Sequence, residues 1–208
     1  MTRTPRHLAR IFIIAAAGCS GVLLPRLLAQ APIGLIGSRH VEASVFYEDI
    51  DAAGVDDGLG LAVRANIPLH PVLDLAISGA HEEIDTNDFR ERSVFATLVA
   101  HWNARDITPY VTLGAGNVWQ SVRIDGEKIS EDEAVFAAGL GFEAPVADRT
   151  ALDGRVTYHR YADNDLDAYW IYGLGLNHGF TERVVGTVSV QFRESDSIIV
   201  SVGAAFRF

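Results

Sequence analysis

Imidazole and carboxylate side chains are the groups of this sequence best suited to chemistry. Beyond residue 39 the histidines are His40, His70, His81, His101, His159 and His178. Two imidazoles at close spacing with a glutamate between them, as in H-E-x-x-H, would bind zinc and activate a water. No such pair occurs. Asp49 and Asp51 form a close acidic pair of the kind that can work as acid and base on a water. A peptidase site of that type also needs an Asp-x-His unit, and none is present. A lipid deacylase needs a serine two residues after its histidine, but His159 is followed by Arg160 and Tyr161. G-x-S-x-G is also absent, so a nucleophile elbow is unsupported. No catalytic, metal-binding or cofactor-binding residue is assigned.

Acidic residues gather in four stretches instead. These hold Asp49, Asp51, Asp56 and Asp57; Glu82, Glu83, Asp85 and Asp88; Asp125, Glu127, Glu131, Asp132 and Glu133; and Asp163, Asp165 and Asp167. They read either as a solvated rim or as hard oxygen ligands that hold Ca²⁺ or Mg²⁺ against lipid phosphates. The run from Asp163 is not an EF-hand, because Ala168 and Leu174 stand where glycine and glutamate are required.

The elements that carry these residues show a period of two. Leu59, Leu61, Val63, Ala65 and Ile67 alternate with Gly60, Ala62, Arg64 and Asn66. Ile198, Val200, Val202, Ala204, Phe206 and Phe208 alternate with Ser201, Gly203 and Arg207. Such alternation marks strands with one apolar face. It predicts ten strands near 38–48, 58–67, 72–81, 92–102, 109–119, 134–144, 150–160, 168–178, 184–193 and 198–208, with eight as the alternative. Alternation alone leaves the facing of 92–102 and 109–119 open. The connections at 68–71, 103–108, 145–149 and 179–183 are short. Those at 49–57, 82–91 and 120–133 are long, and 161–167 and 194–197 are intermediate. Gly114-Ala115-Gly116 and Gly173-Leu174-Gly175 lie inside strands with no helix following, so they are not phosphate loops.

The first 31 residues read as a signal peptide. Arg3, Arg6 and Arg10 precede an apolar run, and Ala29-Gln30-Ala31 is an A-x-A cleavage site. Ala16-Ala17-Gly18-Cys19 loosely matches a lipobox, the alternative reading. Cys19 is the only cysteine, so the mature chain has no thiol chemistry. Loss of four arginines moves the formal charge from −10 to −14, which argues against nucleic acid as a partner. The expected organisation is signal peptide 1–31, a short lead-in 32–37, and one domain over 38–208.

An apolar face can line a ligand cavity, as in a soluble barrel, or meet lipid. The opposite faces here carry Gly, Ala and Ser with Arg64, Asp74, Glu143, Arg155, His159 and Arg193 among them, as suits a narrow polar interior. Arg64, Arg155 and Arg193 are candidate partners for Glu42, Asp74 or Glu143. Tyr47, Trp102, Tyr110, Trp119, Tyr158, Trp170 and Tyr172 stand near strand ends, where aromatic girdles mark membrane interfaces.

The last strand, with Val200, Val202, Ala204, Phe206 and a terminal Phe208, resembles the C-terminal assembly signal of small outer-membrane barrels of the OmpA/OmpX and opacity-protein type. The glycine-bearing strands 109–116 and 137–142 are also similar to theirs. The resemblance implies an all-β, antiparallel up-and-down transmembrane barrel, integral to a bacterial outer membrane. It also implies monomeric behaviour and contact with outer-membrane lipids, lipopolysaccharide and the assembly machinery. The expected role is non-enzymatic, structural or surface-interacting, with the interior largely plugged. The alternatives are a narrow pore for small solutes or ions and, beyond that, an enzyme acting on envelope lipids.

Overall fold

The computed structural model describes residues 34–50, 57–84, 89–102, 104, 106–124, 127–162, 168–194 and 197–208. The expected signal peptide lies outside the described residues, as do half of the acidic residues assigned to loops.

Ten strands follow in order: β1 (His40–Ile50), β2 (Gly58–His70), β3 (Leu73–Ile84), β4 (Phe89–His101), β5 (Thr108–Ile124), β6 (Glu127–Ala147), β7 (Thr150–Tyr161), β8 (Tyr169–Gly179), β9 (Val184–Arg193) and β10 (Ser197–Arg207). Each pairs antiparallel with its sequence neighbours, and β1 pairs with β10 to close the barrel. Closure runs in register from His40 against Arg207 to Ile50 against Ser197. It leaves no sheet edge, which is what a sheet needs to cross hydrocarbon with its backbone paired. Both ends of the described chain sit at the rim of short turns, the periplasmic rim in barrels of this build.

The period-two pattern divides the wall into two faces. Leu59, Leu113 and Leu140 point outward and are 66%, 65% and 64% exposed. A soluble barrel would bury such side chains, so the apolar face of this one is its outside. In β4, Val94, Ala96 and Leu98 face out while Phe95, Thr97 and Val99 face in. This settles the facing left open for 92–102. Tyr47, Trp119 and Trp170 lie outward toward the long-loop rim, with Tyr158 packed against Trp170 at 4.9 Å. Trp102 and Phe180 mark the other rim.

Two expectations are corrected. Of the connection expected over 120–133, residues 120–124 and 127–133 are strand: β5 and β6 continue pairing from Gln120 against Glu131 out to Ile124 against Glu127. Glu127, Glu131, Asp132 and Glu133 therefore belong to a strand. Above the membrane a hairpin has water on both sides, so the alternation that would reveal it disappears. Tyr110, expected in a girdle, points inward and is 6% exposed.

Bulky rings fit the narrow lumen because glycines lie opposite them on the next strand. Phe46 faces Gly60, Phe95 faces Gly116, and Tyr110 faces Gly141. In each pair a Cβ on the glycine would run into the ring. The ring lies flat on its neighbour strand in the space a side chain would otherwise take.

Candidate functional site: the lumen

The lumen gathers polar side chains and shields them from lipid, and alternation puts them there. It encloses a cavity of about 460 Å³, bordered by Glu42, Glu48, Glu82, Glu91, Glu143 and Asp153 against Arg64, Arg155 and Arg193. The six residues expected as interior charges lie as follows. Arg64, Arg155, His159 and Arg193 line the middle and outer parts of this cavity. Glu143 and Asp74 stand near the periplasmic mouth.

At the outer level, Arg193 Nη1 of β9 lies 3.2 Å from Glu48 Oε1 of β1, reaching past β10. The same oxygen accepts from Ser197 Oγ at 2.5 Å. The Arg193 guanidinium also stacks 5.5 Å from the Tyr169 ring centroid. Gln120 Nε2 donates to Glu91 Oε2 at 2.9 Å. The His159 ring lies parallel to Tyr169 at 5.1 Å and edge-on to Phe95 at 6.0 Å. The imidazole is thus flanked by two aromatic rings.

At the middle level, Tyr110 Oη donates to Asp153 Oδ2 at 2.8 Å, and Arg155 Nη1 stands 4.0 Å from Asp153 Oδ1. Thr187 Oγ1 donates to Glu42 Oε1 at 2.8 Å. The partners named from sequence are thus rearranged. Arg193 meets Glu48, and Arg155 meets Asp153. Arg64 has no carboxylate within 4.0 Å among the described residues, although Glu42 is its register neighbour.

The periplasmic level holds the most deeply buried carboxylate. Asp74 is 0% exposed; its Oδ2 accepts from Asn66 Nδ2 at 3.0 Å and from the Gly37 backbone N–H at 2.8 Å. His101 Nε2 approaches Asp74 Oδ1 at 3.5 Å. Glu143 accepts from Asn177 Nδ2 at 3.0 Å and from the backbone N–H groups of Leu35 at 2.8 Å and Ile36 at 3.3 Å. Sequence reasoning missed the role of the lead-in. Its hydrogen bonds come from main-chain groups, which every residue has, and only Gly34 and Gly37 hint at a special backbone. Gly37 has φ of 73°, and Ser38 N–H closes a turn onto Leu35 C=O at 3.2 Å. A positive φ at the third residue of a turn is the conformation glycine supplies without strain.

No protein family and no curated protein matches the sequence. Among solved structures, the outer-membrane protease OmpT from Escherichia coli superposes with a TM-score of 0.53 at 10% identity, over 82% of this chain and 97% of that one. The fold is that of an outer-membrane β-barrel. Neisserial surface protein A (NspA) also aligns, at 15% identity and TM-score 0.47 over 81% of this chain and 96% of that one. So does Ail of Yersinia pestis, at 17% identity and TM-score 0.41 over 82% and 99%.

Apolar outer wall, aromatic rims and fold agree on an integral location in the outer membrane. Among the described residues this outer-membrane barrel groups no three His, Cys, Asp or Glu side chains that could hold a metal ion. The C-terminal residues Val202, Phe206 and Phe208 of the barrel face outward, 54%, 48% and 68% exposed, with Val200 and Ala204 on the same side.

Proposed function

We propose that the chain is a closed, non-catalytic barrel that serves envelope integrity or surface interaction. The observation that carries this reading is the covered periplasmic mouth of the lumen. Side chains of strands two apart bond along its wall at three levels, and the lead-in sits in the periplasmic mouth. A barrel of about ten strands has little interior to spare once charged side chains enter it. On the outside, Arg90 and Arg92 project from β4 above the apolar band, at headgroup level. Arg90 Nε lies 3.4 Å from Glu83. This side of the wall suits the phosphates of outer-leaflet lipopolysaccharide. The outward alternation of Val200, Val202, Ala204, Phe206 and Phe208 suits a strand read by the outer-membrane assembly machinery, and a single copy of the chain closes the barrel.

Osmotic swelling of proteoliposomes tests the closed state. Vesicles holding the folded protein are expected to swell no faster in small sugars than protein-free vesicles. Swelling that scales with protein content would overturn the reading. Lipid A recovered before and after expression is expected to give the same mass spectrum.

A further inference from the structure

The segment that closes the periplasmic mouth is held by the wall without belonging to it. Ladder pairing of β1 begins at His40, so no residue of 34–38 takes part in the sheet. Its anchors come instead from around the circumference. Asp74 of β3 receives the Gly37 N–H, and Glu143 of β6 receives those of Leu35 and Ile36. Asn66 of β2 donates to Ser38 C=O at 2.8 Å, and Arg207 of β10 donates to Gly34 C=O at 2.6 Å. Ile36 packs on Ala76, Val99 and Tyr110, an apolar floor at the bottom of the lumen. A turn tied to four strands spaced around a barrel lies across its opening. It can also leave without breaking one hydrogen bond of the sheet. Two of its receptors are carboxylates with almost no exposure. They are poorly placed for water while the turn is seated, and they become water-accessible when it leaves.

We propose that residues 34–38 are a stopper, and that unseating them opens the lumen to small monovalent cations from the periplasmic side. The sign of the permeant ion follows from the lining, in which six carboxylates face three guanidiniums. An excess of fixed negative charge in a narrow low-dielectric passage concentrates cations and repels anions. The proposal rests on the closed-barrel reading and names the element responsible for closure.

The turn offers substitutions that leave the wall untouched. A Cβ at Gly34 would land on the Glu143 carboxylate, so Gly34→Val displaces the group that receives the Leu35 and Ile36 N–H groups and loosens the turn. Ile36→Ser removes the apolar anchor and serves as the second variant. The test is planar-bilayer conductance, under a KCl gradient, of wild-type and variant protein purified from membranes and shown by heat-modifiability to be folded. Seating is read separately from maleimide labelling of Ser38→Cys, which keeps the Ile36 anchor, alone and combined with Gly34→Val.

The expected result is a silent wild type and at least a tenfold rise in open events in both variants. Reversal potentials should favour K⁺ over Cl⁻, and the thiol introduced by Ser38→Cys should react faster when Gly34→Val is also present. Folded variants in which that thiol is reactive and no conductance appears would overturn the stopper while leaving the closed-barrel reading intact. Anion-selective steps would overturn the ion assignment. A wild type that conducts as the variants do would overturn both, whereas a wild type that conducts and variants that conduct much more would overturn only the closed state.

Discussion

Tyr110 of β5 and Asp153 of β7 meet over the intervening strand β6, the phenol donating to the carboxylate at 2.8 Å. The contact exists because Gly141 leaves room along the path. Tyr110 lies flat against it, where a Cβ would meet the ring. Such a bond ties strands two apart, which the backbone ladder does not do. Tyr110→Phe is expected to destabilise the barrel by about 1–3 kcal/mol, since a shielded carboxylate loses its donor. Urea unfolding from lipid vesicles, followed by tryptophan fluorescence, measures it. An unchanged midpoint would mean that water replaces the hydroxyl.

Asp74 has no exposure and accepts from both Asn66 and Gly37. Asp74→Ala leaves two donors at the mouth without an acceptor, at a cost of roughly 1–3 kcal/mol each where they stay shielded. The same substitution frees the turn, so the loss is expected to be smaller in a variant that already carries Gly34→Val. A double-mutant cycle on the unfolding midpoints reads the coupling.

Arg193 is the only guanidinium at the level of Glu48, Glu82 and Glu91 among the described residues lining the cavity. Arg193→Met is expected to cost about 3–5 kcal/mol, because it strands a buried carboxylate that had a partner at 3.2 Å. Adding Glu48→Gln should restore part of that loss. If the double variant is no more stable than Arg193→Met alone, the two residues are not coupled.

Val202 faces outward in the middle of β10. Val202→Arg is expected to reduce folding stability in vesicles by about 2–4 kcal/mol, the cost of a guanidinium at the bilayer midplane. Val184→Arg, at the rim end of β9, should cost far less. Equal effects at the two depths would argue against a membrane-embedded belt.

Much of this wall was legible in the sequence, because one physical constraint writes it. A sheet with lipid on one side and a polar lumen on the other forces alternation, and Leu59 to Ile67 or Ile198 to Phe208 cannot satisfy it in another phase. The same constraint brought Arg64, Arg155, His159 and Arg193 to the lumen. Their partners were not legible, because Glu48 and Arg193 stand at opposite ends of the chain and meet only on closure. The continuation of β5 and β6 was hidden where the constraint lapses above the membrane. Its remaining signal is Asp125-Gly126, a dipeptide favoured in two-residue hairpin turns. Tyr110 was misplaced because an aromatic ring near a strand end fits a girdle or a lumen equally well. The glycine opposite it, Gly141, decides between them.

The phase of alternation along β10 tests the membrane barrel most directly. Nitroxide labels placed singly at positions 200 to 204 in vesicle-inserted protein report contact with oxygen in the lipid and with a water-soluble nickel chelate. High oxygen contact is expected at 200, 202 and 204, and low oxygen contact at 201 and 203. The opposite phase, or no alternation at all, would contradict a wall whose apolar face meets lipid.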